Sequence, residues 1–149
     1  MTGTGREYVE QMLGNGQARP YGDTPASARQ RDRRRWLMAF GASVMVSLVV
    51  LFTPRTGVPT APPGTDKIVH FALFGALAGT ALLAGARRRW LVPALIAYAV
   101  ASELIQASPL LDRSASVADV VADMLGIAVG LLAAARFATS RRGGGPARP

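Results

Sequence analysis

The chain has 149 residues, half of them AVILMFWYC, and a formal net charge of +8. That length fits one domain at most, and so apolar a chain with so many charges is no ordinary soluble core, though it suits apolar runs held in lipid with charges kept to ends and loops. With no cysteine, disulfides, thiolate metal sites and cysteine nucleophiles are excluded.

The basic residues are 16 Arg and one Lys, Lys67. They flank the apolar runs and no nucleic-acid module is visible, so no nucleic-acid partner is expected. Residues 1–35 read as a disordered basic cytoplasmic tail. Its first part is rich in Gly, Pro, Thr and Ala, with a short helix around Arg6–Leu13 as the one candidate element, and it ends in Arg29-Gln-Arg-Asp-Arg-Arg-Arg35. No signal peptide is expected: the first apolar run starts only at Trp36, and no convincing small-residue cleavage site follows it.

Four apolar stretches follow, Trp36–Phe52, Ile68–Ala86, Trp90–Ala107 and Val117–Phe137. Each is long enough for an α-helix to cross about 30 Å of hydrocarbon. Period-2 alternation is absent, which argues against a barrel. A water-soluble four-helix bundle would need a polar stripe on every helix, and Trp36–Phe52 offers only Ser43 and Ser47. The expected fold is therefore all-α, a four-transmembrane-helix bundle over 36–138 with short loops and a second disordered tail at 139–149.

Lys and Arg counts predict the orientation. The N-terminal segment holds seven, the turn Arg87-Arg88-Arg89 three and the C-terminal segment four, so fourteen of the seventeen fall on one side, with both termini cytoplasmic. The other loops hold Arg55, Lys67 and Arg113. On this topology Asp66, Lys67 and His70 open helix two at its outer end, Glu103 and Gln106 close helix three, and Asp119 and Asp123 open helix four. Every ionisable group inside the spans then lies in the extracytoplasmic third, except Arg136 at the inner end of helix four.

Helical phase groups these residues further. Asp66 with His70, Glu103 with Gln106, and Asp119 with Asp123 each share a face. Gly126 and Gly130 continue the Asp119 face, a small-xxx-small pair that lets another backbone approach. Gly75 and Gly79 lie roughly opposite His70, so helix two is expected to pack on both sides. Charged groups at membrane depth cost about 2.5–3.5 kcal/mol at a helix centre and turn inward or toward water. The expectation is one polar pocket, open to the outside and lined by helices two, three and four, with Asp66, Lys67, His70, Glu103, Gln106, Arg113, Asp119 and Asp123 as ligand-pocket candidates.

Plainer readings stand beside it. Ser116-x-x-Asp119 is a helix-start capping pattern, Asp66 could N-cap helix two, Arg113 could be a loop cation paired with Asp112 or Asp119, and Gln106 could bond between helices. His70, Glu103 and Asp123 could form a structural ion-pair network. Tyr98 and Trp90 read as packing or interfacial aromatics. One histidine with carboxylates would be a hard-cation site at best, so no metal and no cofactor is assigned.

Asp66-Lys-Ile-Val-His70-Phe-Ala-Leu-Phe74, then Glu103-Leu-Ile-Gln106, then Arg113-Ser-Ala-Ser116 with Asp119 and Gly126 resemble, in that order, the VanZ-like family of bacterial membrane proteins. The resemblance covers roughly residues 36–135. It implies a multi-pass protein of the bacterial plasma membrane, in a family whose founding members are associated with low-level resistance to teicoplanin, a lipid-bearing glycopeptide antibiotic, and for which no reaction is established. Where many members have Asn before the last Gly, this chain has Asp123.

Three functions remain open on the sequence. The pocket could bind a lipoglycopeptide or a lipid-linked cell-wall precursor, with Arg113 and Lys67 meeting phosphate or carboxylate. It could be an intramembrane acid–base site built on His70 with Glu103 or Asp123, although no nucleophile elbow, metalloprotease motif or phosphate loop is present. Or the polar cluster could be scaffolding, with function in a partner. The lipid bilayer is the expected partner; a homo-oligomer through a glycine face is left open.

Overall fold

A segment facing lipid must close its backbone hydrogen bonds internally, and helix is the only regular structure among the described residues. The computed structural model describes residues 24–54, 62–109, 111 and 116–143. It contains α1 (Pro25–Phe52), α2 (Thr65–Leu83), α3 (Arg88–Gln106) and α4 (Val117–Gly143). The chain divides into two units, 1–31 and 32–149. In the first, the start of α1 is capped by Thr24, whose Oγ1 accepts the Ser27 N–H at 3.3 Å. All packing below lies within the second.

The outer helices overrun their apolar stretches. α1 starts well before Trp36, inside the segment expected to be a disordered tail, and α4 continues past Phe137. Arginine is a good helix former, so a helix entered from lipid need not stop at the hydrophobic edge. α2 stops at Leu83 rather than Ala86, because Gly85 adopts φ 99°. There the Ala86 N–H donates to Ala81 O and the Gly85 N–H to Leu82 O, each at 3.0 Å, the double closure that a left-handed glycine permits at a helix end. The expected helix at Arg6–Leu13 lies outside the described residues.

Helices α2 and α4 pack closest, because glycine removes the side chains between them. Gly75 faces Gly126, and Gly79 faces Gly130, so closely that a Cβ on Gly75 or Gly79 would sit 3.3 Å from the opposing carbonyl oxygen. The two glycine faces are thus occupied by each other within one chain. α2 also meets α3, where the Phe74 and Tyr98 rings lie 5.5 Å apart. The two-sided packing expected for α2 is therefore packing on two neighbours, and α4 takes both the glycine face and His70. α1 joins through Ser47, whose hydroxyl is 3.1 Å from the Tyr98 hydroxyl, and through Trp36, edge-on to Phe137 at 5.8 Å. Inter-helix side-chain hydrogen bonds in membranes average about 0.6 kcal/mol, so Tyr98→Phe is expected to shift thermal unfolding in detergent only slightly. A collapse of the fold instead would show that this bond holds α1 in place.

Apolar side chains lie both inside and outside. Leu37, Met38, Met45, Val49, Ile68, Leu104, Val121, Leu125, Val129 and Leu132 face outward, while an apolar core of Leu51, Phe74, Leu77, Leu91, Leu95, Ile127 and Leu131 is buried together with the polar Ser47, His70, Ser102, Glu103, Gln106, Asp119 and Asp123. Three helices are long and apolar enough to cross a membrane, over Ala26–Phe52, Thr65–Leu83 and Val117–Arg141. α3, which carries the expected span Trp90–Ala107, is not among them. Arg88, Arg89, Glu103 and Gln106 lower its hydropathy.

Candidate functional site

The chain enters α2 through Gly64 at φ 87°, with no side chain capping the helix. Asp66 is therefore not the N-cap; it lies in the first turn and accepts from Lys67 Nζ at 3.0 Å. Lys67 and His70, three apart and thus on one side of α2, face Asp119 and Asp123, four apart on α4. Two rungs cross between the helices. Lys67 Nζ donates to Asp119 Oδ1 at 3.2 Å, and His70 Nδ1 lies 3.0 Å from Asp123 Oδ1. The outer rung is half open, with the Lys67 side chain 42% exposed and Asp119 7%; the inner rung is sealed, at 1% and 0%. The grouping of Asp66 with His70 dissolves, because Asp66 turns outward and Lys67 takes its place opposite α4.

α3 supplies the third wall. Its buried stripe is Leu91, Leu95, Ala99, Ser102, Glu103 and Gln106. Glu103 Oε2 accepts the backbone N–H of Ser116 at 2.8 Å, and Ser116 Oγ accepts the Asp119 N–H at 3.3 Å. Ser116 thus caps α4 as its Ser-x-x-Asp pattern suggests. In a capping box the acid three residues on would take the N-cap N–H; here Glu103 takes it from another helix, and Asp119 is released to Lys67. Nothing local to residues 116–119 signals that substitution. Gln106 goes elsewhere: its Nε2 donates to Leu51 O at 3.1 Å, satisfying one of the carbonyls that every helix leaves unpaired at its C-terminus. Arg113 and Asp112 lie outside the described residues.

The centre of the site is His70 between two acids. Its Nε2 is 3.7 Å from Glu103 Oε1. Nε2, Glu103 Oε1 and Asp123 Oδ2 are buried without a hydrogen-bond partner. One ligand atom from each of His70, Glu103 and Asp123 falls within 4.8 Å of the others. A carboxylate on Nδ1 sets the ring orientation and leaves the second nitrogen to act, so the cluster can accept or deliver a proton or engage a cation. Among the described residues its core is buried, unlike the expected open pocket, and Asp66 and Lys67 give it a half-exposed rim.

The basic groups gather at the other end. Asp32 and Arg141 form an ion pair at 2.9 Å, and Gly85, at the α2–α3 turn, lies 4.0 Å from Arg33 Nε when a Cβ is placed on it. Arg87, Arg88 and Arg89 follow directly in that turn.

Residues 29–138 match the protein family described as VanZ/LLP1. No curated protein and no solved structure matches the chain.

Proposed function

The chain belongs to the VanZ/LLP1 family of proteins and carries three helices fit to span a membrane, and from that premise we propose that it crosses the bacterial plasma membrane four times, with both termini cytoplasmic, and uses its buried polar cluster at the extracytoplasmic face on a lipid-bearing glycopeptide or a lipid-linked cell-wall precursor. The observation that carries this reading is the separation of charge. Lys67, His70, Glu103, Asp119 and Asp123 cluster at one end of the bundle, while Asp32, Arg33, Arg141 and the α2–α3 turn meet at the other. Arginines on one side are the mark of the cytoplasmic face. α3 crosses as well, because its polar residues Ser102, Glu103 and Gln106 are buried and its outward face is Trp90, Ile96, Val100, Leu104 and Ile105.

The half-exposed Lys67 is placed to meet a phosphate or carboxylate at the rim, and the acids behind it to meet amines or hydroxyls. The test is susceptibility to teicoplanin and vancomycin in a sensitive Gram-positive host expressing the chain, with membrane abundance followed throughout. Protection against teicoplanin is expected from the unaltered chain. Glu103→Gln, His70→Gln and Asp123→Asn are expected to remain in the membrane without protecting. Unchanged susceptibility, or variants as protective as the parent, would remove the glycopeptide role.

One contact favours a second reading. Asp123 on His70 Nδ1 is the arrangement that orients an imidazole for acid–base work. An enzyme would convert a lipid-linked precursor progressively with time, and His70→Gln would abolish the conversion in a chain of normal abundance.

A further inference from the structure

His70 and Glu103 each have one polar atom tied down and one left over. Asp123 Oδ1 sits 3.0 Å from His70 Nδ1, and the Ser116 N–H holds Glu103 Oε2 at 2.8 Å. The remaining atoms, Nε2 and Oε1, are buried, have no hydrogen-bond partner, and face each other at 3.7 Å. A proton does not join them at that separation, since N–H···O hydrogen bonds span about 2.7–3.2 Å. With Nδ1–H donating to Asp123, Nε2 presents a lone pair to a carboxylate oxygen, so two acceptors face each other.

A metal ion does fit that gap. With ligand bonds of about 2.0–2.1 Å, as zinc makes to imidazole and carboxylate, a 3.7 Å separation subtends roughly 120–135° at the cation, an angle suited to an open four- or five-coordinate site. The outer shell is already in place. A carboxylate on the distal nitrogen of a metal-binding histidine fixes its tautomer and raises its basicity, which is the position of Asp123, and the Ser116 N–H holds the other oxygen of Glu103 and so orients its carboxylate. The second Asp123 oxygen, Oδ2, is also buried and unpartnered, and His70, Glu103 and Asp123 each offer a ligand atom within 4.8 Å of the others. Charge agrees: two carboxylates inside a membrane helix bundle are costly unless paired, and one divalent ion offsets both.

We infer that His70 Nε2 and Glu103 Oε1 bind a divalent cation of the borderline class that accepts nitrogen and oxygen together, with zinc as the reference ion, and that Asp123 positions the imidazole from behind. This stands on the geometry of the cluster and not on any role at the envelope. A chain that binds zinc but leaves glycopeptide susceptibility unchanged keeps this inference and loses the other, and the converse holds.

The full-length protein in lipid nanodiscs, stripped by chelator, is titrated with Zn2+ by equilibrium dialysis and elemental analysis, and with Co2+ by visible absorption. One zinc per chain is expected, together with cobalt d–d bands. His70→Gln and Glu103→Gln are expected to lose the stoichiometric site. Asp123→Asn, which keeps an oxygen for Nδ1, is expected to weaken zinc binding about 10–100-fold, and Asp32→Asn, at the opposite end, to bind as the parent does. Because His70→Gln removes a buried group and could fail to fold, the cobalt spectrum of the unaltered chain decides independently. No stoichiometric zinc and no cobalt bands on folded protein overturn the inference. So does zinc bound equally well by folded Asp123→Asn.

Discussion

Gly130→Ala is expected to strip most of the folded protein from the membrane. A Cβ at Gly130 falls onto the Gly75 carbonyl oxygen, with the Gly75 carbonyl carbon at 2.9 Å and its Cα at 3.0 Å. These are backbone atoms of a helix, which cannot swing aside as a side chain does, so α2 and α4 must separate. Overpacking a core commonly costs about 1–3 kcal/mol, sometimes more, and a clash against backbone belongs at the upper end. Gly126→Ala, whose Cβ would meet the Phe71 carbonyl oxygen and carbon, belongs in the same class. Gly75→Ala and Gly79→Ala meet their opposing carbonyl oxygens at only 3.3 Å, and Gly41 meets nothing within 4 Å. The expected order of damage is Gly130 and Gly126 well above Gly75 and Gly79, with Gly41→Ala near neutral. Thermal unfolding in detergent and the amount recovered from membranes read this order directly. Equal tolerance of alanine at Gly130 and Gly41 would mean that the two helices do not pack backbone to backbone. Since the same contact sets the height of Asp123 against His70, loosening it should disrupt the polar site as well.

His70→Leu is the second large effect. It leaves Asp123 and Glu103 buried beside each other without the imidazole that lies between them. Removing the donor of a buried hydrogen bond leaves its acceptor desolvated and unpaired, which costs about 1–3 kcal/mol and more when the acceptor is a carboxylate. The loss should be partly recovered by adding Asp123→Asn, which removes one of the stranded carboxylates while keeping an amide able to bond. His70→Gln should be milder than His70→Leu, since its amide can still donate to Asp123 Oδ1. Unfolding midpoints of the single and double variants measure the coupling. If His70→Leu is as stable as the parent, or if Asp123→Asn adds to its damage instead of offsetting it, the inner rung does not hold the bundle together.

Much of the site was legible because its chemistry is local. His70, Glu103, Asp119 and Asp123 stand out as ionisable residues in apolar runs, and each helix turns them inward. Asp66 and Lys67 were legible as residues but not as partners. A wheel drawn on one helix sets Asp66 beside His70, yet neighbouring residues flank the same interface, and only the rotation of α2 against α4 chose Lys67 for Asp119. Gln106 shows the same limit. Its spacing from Glu103 puts both on one face, but α1 ends beside it and the Leu51 carbonyl takes its amide. α3 shows a further limit, because hydropathy averages over a whole helix: the sequence does not say which of its polar residues turn inward, and the packing buries Ser102, Glu103 and Gln106 while Arg88 and Arg89 stay exposed.

By itself the sequence determined the apolar segments, the arginine-rich ends, the family motifs and the small-residue pairs. Hydropathy and a 3.6-residue period are properties of one segment at a time, and need no knowledge of its neighbours. The tertiary structure alone decided that Gly126 and Gly130 meet Gly75 and Gly79, that Glu103 rather than Asp119 takes the Ser116 N–H, and that Nε2 and Oε1 are left facing each other 3.7 Å apart. Those outcomes depend on the relative height and rotation of helices far apart in the chain. The contact of bare backbones fixes both to within a fraction of an ångström, a constraint that no single helix carries.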